Sequence, residues 1–70
     1  MPLNLADKNK KYTILRIAGN EREARRLESL GFVPGSEITI LSVIDGNFLV
    51  SVKGTRIGIG CEYAKRILVI

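Results

Sequence analysis

Seven carboxylates, one thiol and no imidazole leave this 70-residue chain little with which to do acid–base or covalent chemistry. Catalysis needs a nucleophile, a proton-transfer group or a metal, gathered in one hollow. Asp7, Glu21, Glu23, Glu28, Glu37, Asp45 and Glu62 are scattered along the sequence. Each has a local use as helix cap, helix-surface ion pair or turn residue. Cys61 has neither a second Cys nor a His to activate it, so it reads as a small apolar residue at a strand-to-helix junction. The same inventory excludes an internal disulfide framework and an ordinary zinc, haem or iron–sulfur site. No enzyme, metal site or cofactor is expected, and a reducing cytoplasm suits the single thiol.

Phosphate chemistry is no better served. Gly58-Ile59-Gly60 lacks the third glycine of a dinucleotide fingerprint and the long helix that would aim its amides at phosphate, and no GxxxxGK[ST] run exists. Eleven Lys and Arg against seven Asp and Glu give a net charge of +4, which permits attraction to nucleic acid, anionic lipid or an acidic partner. All the cations but Arg16 fall into three groups: Lys8, Lys10 and Lys11; Arg22, Arg25 and Arg26; and Lys53, Arg56, Lys65 and Arg66. Reading single-stranded nucleic acid wants exposed aromatics among such cations, and only Tyr12, Phe32, Phe48 and Tyr63 are available.

The elements that position these residues follow from the aliphatic pattern. Nine Ile, five Val and eight Leu give so short a chain a compact core without staples. Residues 1–70 read as one folding unit, with no repeat, linker or apolar run long enough to cross a membrane. Residues 12–18 form a first strand ending at Gly19-Asn20. Asn20 with Glu23 three residues on is a capping pair opening a helix over 21–30, with Ala24, Leu27 and Leu30 as its core stripe. Gly31 supplies the left-handed cap at its end, Phe32 folds back over the last turn, and Pro34-Gly35 makes a type II turn.

Residues 37–44 form the next strand, whose alternation blurs at Leu41 and so predicts a bulge. Asp45-Gly46 is a hairpin signal, followed by a strand with Phe48, Val50 and Val52 facing inward. A tight turn at Lys53-Gly54-Thr55 leads to a fourth strand with Ile57 and Ile59 inward and Gly58 outward, a residue type found where another backbone approaches. One helical turn over 62–66 precedes a last strand over 67–70. The first ten residues read as irregular. Five short strands joined by tight turns predict a mainly β fold, a small five-stranded barrel that minimises unpaired edges.

The set Leu27-x-x-Leu30-Gly31-Phe32, Pro34-Gly35-Ser36-x-Ile38, Gly54 before Ile57-Gly58-Ile59-Gly60, and Ala64 before Ile67-x-Val69 resembles the FeoA family, over about residues 11–70. The resemblance implies an SH3-like barrel with one helix between its first two strands and a short helical turn before its last. It also implies a cytoplasmic, non-enzymatic accessory role in bacterial ferrous iron transport, binding FeoB, a membrane transporter with a cytoplasmic GTP-binding domain. The matching residues are mainly those that fold the domain. For the partner-binding surface the expected residues are therefore apolar ones outside the alternating core: Leu41, Val43 and Leu49 around the hairpin, with Phe32 and Val33 after the helix. Two other readings stand beside this one: a small basic nucleic-acid-binding barrel using Arg22, Arg25 and Arg26, and a regulatory domain related to the C-terminal domain of iron-dependent repressors.

Overall fold

The computed structural model describes residues 1–70. After a single 3₁₀ turn, Leu3–Leu5, the chain runs β1 (Lys11–Ile17), α1 (Glu21–Ser29), β2 (Glu37–Ile44), β3 (Asn47–Val52), β4 (Thr55–Gly60), α2 (Cys61–Ala64) and β5 (Ile67–Val69). All five strands join one antiparallel sheet in the order β4-β3-β2-β1-β5. Strand β1 serves two neighbours, with Lys11, Tyr12 and Thr13 on β2 and Ile14, Arg16 and Ile17 on β5. A register shift between Ile14 and Arg16 marks a bulge where the partner changes, the kind of irregularity that bends a strand. The bulge expected at Leu41 is present too, as a shift between Ile40 and Ser42.

Both hairpins turn as their sequences dictate. Asp45 and Gly46 have φ of 50° and 76°, and Lys53 and Gly54 have φ of 50° and 74°. Two successive positive φ values make a type I′ turn, whose twist matches that of the strands it joins. Pairing therefore closes at Ile44–Asn47 and at Val52–Thr55.

Helix α1 begins and ends with complete caps. The Glu23 amide donates to Asn20 Oδ1 at 2.8 Å while Asn20 Nδ2 donates to Glu23 Oε1 at 3.0 Å. At the other end the Gly31 amide donates to the Glu28 carbonyl and the Phe32 amide to the Leu27 carbonyl. This is the Schellman pattern, which requires a left-handed residue, and Gly31 has φ of +111°. The type II turn follows, with Gly35 at φ +92° and the Ser36 amide donating to the Val33 carbonyl.

The buried core is wholly apolar apart from Tyr12, whose phenol oxygen accepts from the Asp7 amide at 2.9 Å. It includes every inward residue of β3 (Phe48, Val50, Val52), with Ile38, Ile40, Ile59, Leu27 and Ala64. Two expectations need correction. Leu30 is not core but 51% exposed, because residues spaced by three fall about 60° short of a full turn at each step, so a stripe from Ala24 to Leu30 rotates out of the contact strip. Phe32 is not part of a surface: it is fully buried, since the Schellman turn folds it onto Leu27. The N-terminal residues are also more ordered than their composition indicates. Leu3 is fully buried, Pro2 bridges to Leu68, and Met1 exchanges backbone hydrogen bonds with Val69.

Candidate docking surface

The five residues expected to meet a partner do not form one patch. Val33 is half-buried after the helix cap, and Leu41 is half-buried in the β2 bulge. Only Val43 (41%) and Leu49 (37%) are open to water, and they lie on opposite faces of the β2–β3 hairpin. Val43 pairs with Phe48, whereas Leu49 pairs with Ser42, and directly paired residues share a face. The bulge causes this, because one extra residue at Leu41 shifts the alternation beyond it by one.

Sequence reasoning missed Ile44. It is 67% exposed beside the Asp45-Gly46 turn and shares the outer face with Leu49. Its signal was legible, since an apolar residue directly before a type I′ turn sits at the hairpin tip, beyond the reach of a small core. Ile44 and Leu49 are thus held in water on a rigid ladder, with Gly58 paired beside Leu49 on β4.

Two hollows lie elsewhere. The larger, about 320 Å³, has no apolar lining; Lys11, Glu37, Thr39, Ser51 and Lys53 surround it on the outer face of the sheet. The smaller, about 210 Å³, is a groove between α1 and β4, lined by Arg26, Leu27, Leu30, Gly58, Gly60 and Tyr63 among others. No three or more of the His, Cys, Asp and Glu residues come together. Three carboxylates are paired: Glu21 with Arg25 within α1 and Glu62 with Lys65 beside α2, both local, and Glu23 with Arg66 across the fold. No helix is long and apolar enough to cross a membrane.

Against the nucleic-acid reading stands the burial of Tyr12, Phe32 and Phe48, which leaves Tyr63 as the one aromatic open to solvent. The Arg22, Arg25 and Arg26 face therefore has no row of rings on which bases could stack.

The FeoA domain model matches residues 1–70, the full span described above. The chain belongs to the FeoA domain family. A crystal structure of an iron uptake regulatory protein, FeoA, shares 32% identity, covers 99% of this chain and 92% of that chain, and superposes with a TM-score of 0.89. FeoA of Stenotrophomonas maltophilia, crystallised with zinc and described as a prokaryotic SH3 domain protein and candidate activating factor of bacterial ferrous iron transport, shares 29% identity. That match covers 100% of this chain and 89% of that one, with a TM-score of 0.85. ScaR with bound Zn2+ shares 25% identity at a TM-score of 0.86, but the match spans 99% of this chain and only 35% of ScaR. No curated protein gives a significant match to the sequence. As an FeoA-family chain with an SH3-like fold, the protein is associated with ferrous iron transport, and the same barrel occurs within a longer protein.

Proposed function

We propose that this protein is a non-catalytic adaptor of ferrous iron uptake, working on the cytoplasmic side of the membrane by docking on the cytoplasmic part of the GTP-binding transporter FeoB. One observation carries the reading: an FeoA-family barrel holds Val43, Ile44 and Leu49 in water on a hairpin closed by a type I′ turn. Exposed aliphatic side chains on a preorganised ladder lose little conformational freedom when covered, which favours contact with a partner. The carboxylates support the same view, since those that pair do so within the fold and none gathers with others around a hollow. Iron enters this reading as the cargo of the transport system and not as a resident group of the chain.

The direct test is capture of the transporter's soluble GTP-binding domain by the immobilised protein, with and without nucleotide. Wild type retains the domain, and Ile44→Asp or Leu49→Asp variants that melt like wild type lose it. Unchanged capture by both variants removes the hairpin from the interface. Absence of capture by wild type in either nucleotide condition removes the adaptor reading.

A further inference from the structure

The two ends of the sheet are treated differently. The outer edge of β5 is covered by the chain itself, because Met1 and Val69 exchange backbone hydrogen bonds and Pro2 bridges to Leu68. The outer edge of β4 is covered by nothing: β4 pairs with β3 alone, and no strand lies beyond it.

The register says which backbone groups that edge presents. A two-residue type I′ turn makes Val52–Thr55 a hydrogen-bonded pair, after which bonded and non-bonded pairs alternate. Val50–Ile57 and Phe48–Ile59 are then bonded, so Ile57 and Ile59 spend their amides and carbonyls on β3. Arg56 and Gly58 point theirs the other way and make none of the backbone hydrogen bonds found outside helices and strands, while Gly60, the N-cap of α2, offers the edge only its amide, its carbonyl opening that helix. Two of these three residues carry no side chain. A Cβ built on Gly58 or Gly60 would meet no atom within 4 Å, so the sheet face beside the edge is clear there, as where a second backbone comes close.

The side of the edge has a chemistry of its own. The groove of about 210 Å³ runs beside Gly58 and Gly60, with Leu27, Leu30 and Tyr63 giving it apolar walls. Leu30 is held there by α1 with half its surface in water. Arg26 also lines the groove and is the partner of no carboxylate, the ion pairs being those of Arg25, Lys65 and Arg66.

We propose that the open edge of β4 accepts an extended segment of another protein as a sixth strand, with apolar side chains at alternate positions seated against Leu30 and Tyr63 and a carboxylate placed for Arg26. Main-chain bonds to Arg56, Gly58 and Gly60 supply generic affinity, and the groove supplies selectivity, the usual division in strand addition. A second copy of this chain is the poorer occupant, because each copy carries a net charge of +4 and would bring Arg26 and Arg56 to the same edge. The inference concerns how a segment is gripped and holds whether or not that segment belongs to the transporter.

The test selects random dodecapeptides displayed on phage against the immobilised protein, then maps synthetic copies of the enriched peptides by amide NMR shifts and hydrogen exchange. Gly58→Pro removes one outward amide without touching the β3 ladder, and Leu30→Glu spoils the groove from an exposed helical position. The expected result is enrichment of peptides that alternate apolar residues and carry an acid, with shifts and slowed exchange at Gly58 and Gly60. Binding falls at least tenfold in each variant, and Arg26→Glu reverses the preference for acidic peptides. No enrichment above blank beads, shifts centred on residues 41–49, or equal binding by Gly58→Pro and Leu30→Glu overturns the proposal. Dimerisation of the free protein that Gly58→Pro abolishes overturns it as well, in favour of self-pairing.

Discussion

Arg66, in the turn before β5, lays its guanidinium against the carboxylate of Glu23 in the first turn of α1, the one ion pair that joins residues far apart in sequence. The other two are local to a helix. Glu23 is also half of the cap with Asn20, so one side chain ties the start of the helix to the last strand. Gly19 makes room for this: a Cβ there would lie 3.0 Å from Arg66 Nη1. Both side chains are about a third exposed, which limits the pair to under about 1 kcal/mol. A double-mutant cycle of Glu23→Ala and Arg66→Ala, read by urea unfolding, is expected to give a coupling of about 0.5 kcal/mol. Asn20→Ala, which removes the acceptor for the Glu23 amide, costs about 1 kcal/mol.

Leu27 holds the helix to the barrel more firmly than any charge does. It is the one buried residue of α1 and belongs to the common core cluster. Leu27→Ala is expected to cost roughly 2–5 kcal/mol through lost burial and an unfilled cavity, a large part of the stability of so small a fold. Thermal unfolding decides: a wild-type melting temperature means that α1 does not depend on that face.

Where local rules act alone, the sequence is a good guide here. The cap at Asn20 and Glu23, the left-handed Gly31, the type II turn at Pro34-Gly35 and the hairpin at Asp45-Gly46 each follow from the chemistry of two to four neighbouring residues, and each is present. Inward alternation in β3 is equally legible, because a period of two leaves little choice of face. What escapes is whatever depends on distant segments. Leu3 is buried because β5 and α2 come to it, which no window around residues 1–10 displays. Leu30 and Phe32 exchange their expected places because the helical twist turns the first out of the contact strip and the Schellman turn folds the second in. Of the docking surface, Val43 and Leu49 were readable as exposed, but their opposite faces depend on a cross-strand register that only the bulge fixes.

Two glycines give a paired prediction with opposite signs. Gly31 has φ of +111°, where a β-branched side chain is strained, so Gly31→Val is expected to destabilise by about 1 kcal/mol or more. Gly58 sits in a strand without positive φ, and a Cβ there meets open space. Gly58→Ala is therefore neutral or stabilising by up to about 1 kcal/mol, since it narrows the unfolded ensemble without strain. Chemical unfolding of the two single variants in one buffer checks both, and an equal loss in both would mean that β4 does not hold Gly58 in extended backbone.

The bulge at Leu41 turns the hairpin into a directional probe of docking. Ile44 and Leu49 share the outer face of the sheet with Gly58, while Val43 is turned to the face of Phe48. A partner that covers the outer face buries the first two and leaves the third at its rim, and apolar anchors at the centre of an interface outweigh those at its edge. Ile44→Asp and Leu49→Asp are each expected to weaken binding of the transporter's soluble domain by about tenfold or more, some 1.4 kcal/mol, whereas Val43→Asp changes it by less than about threefold. Isothermal titration of the three variants, each shown to melt like wild type, reads this directly. The reverse ranking would put the partner on the Val43 face, where the buried neighbour Phe48 lies beneath it, and would move the docking surface to the other side of the hairpin.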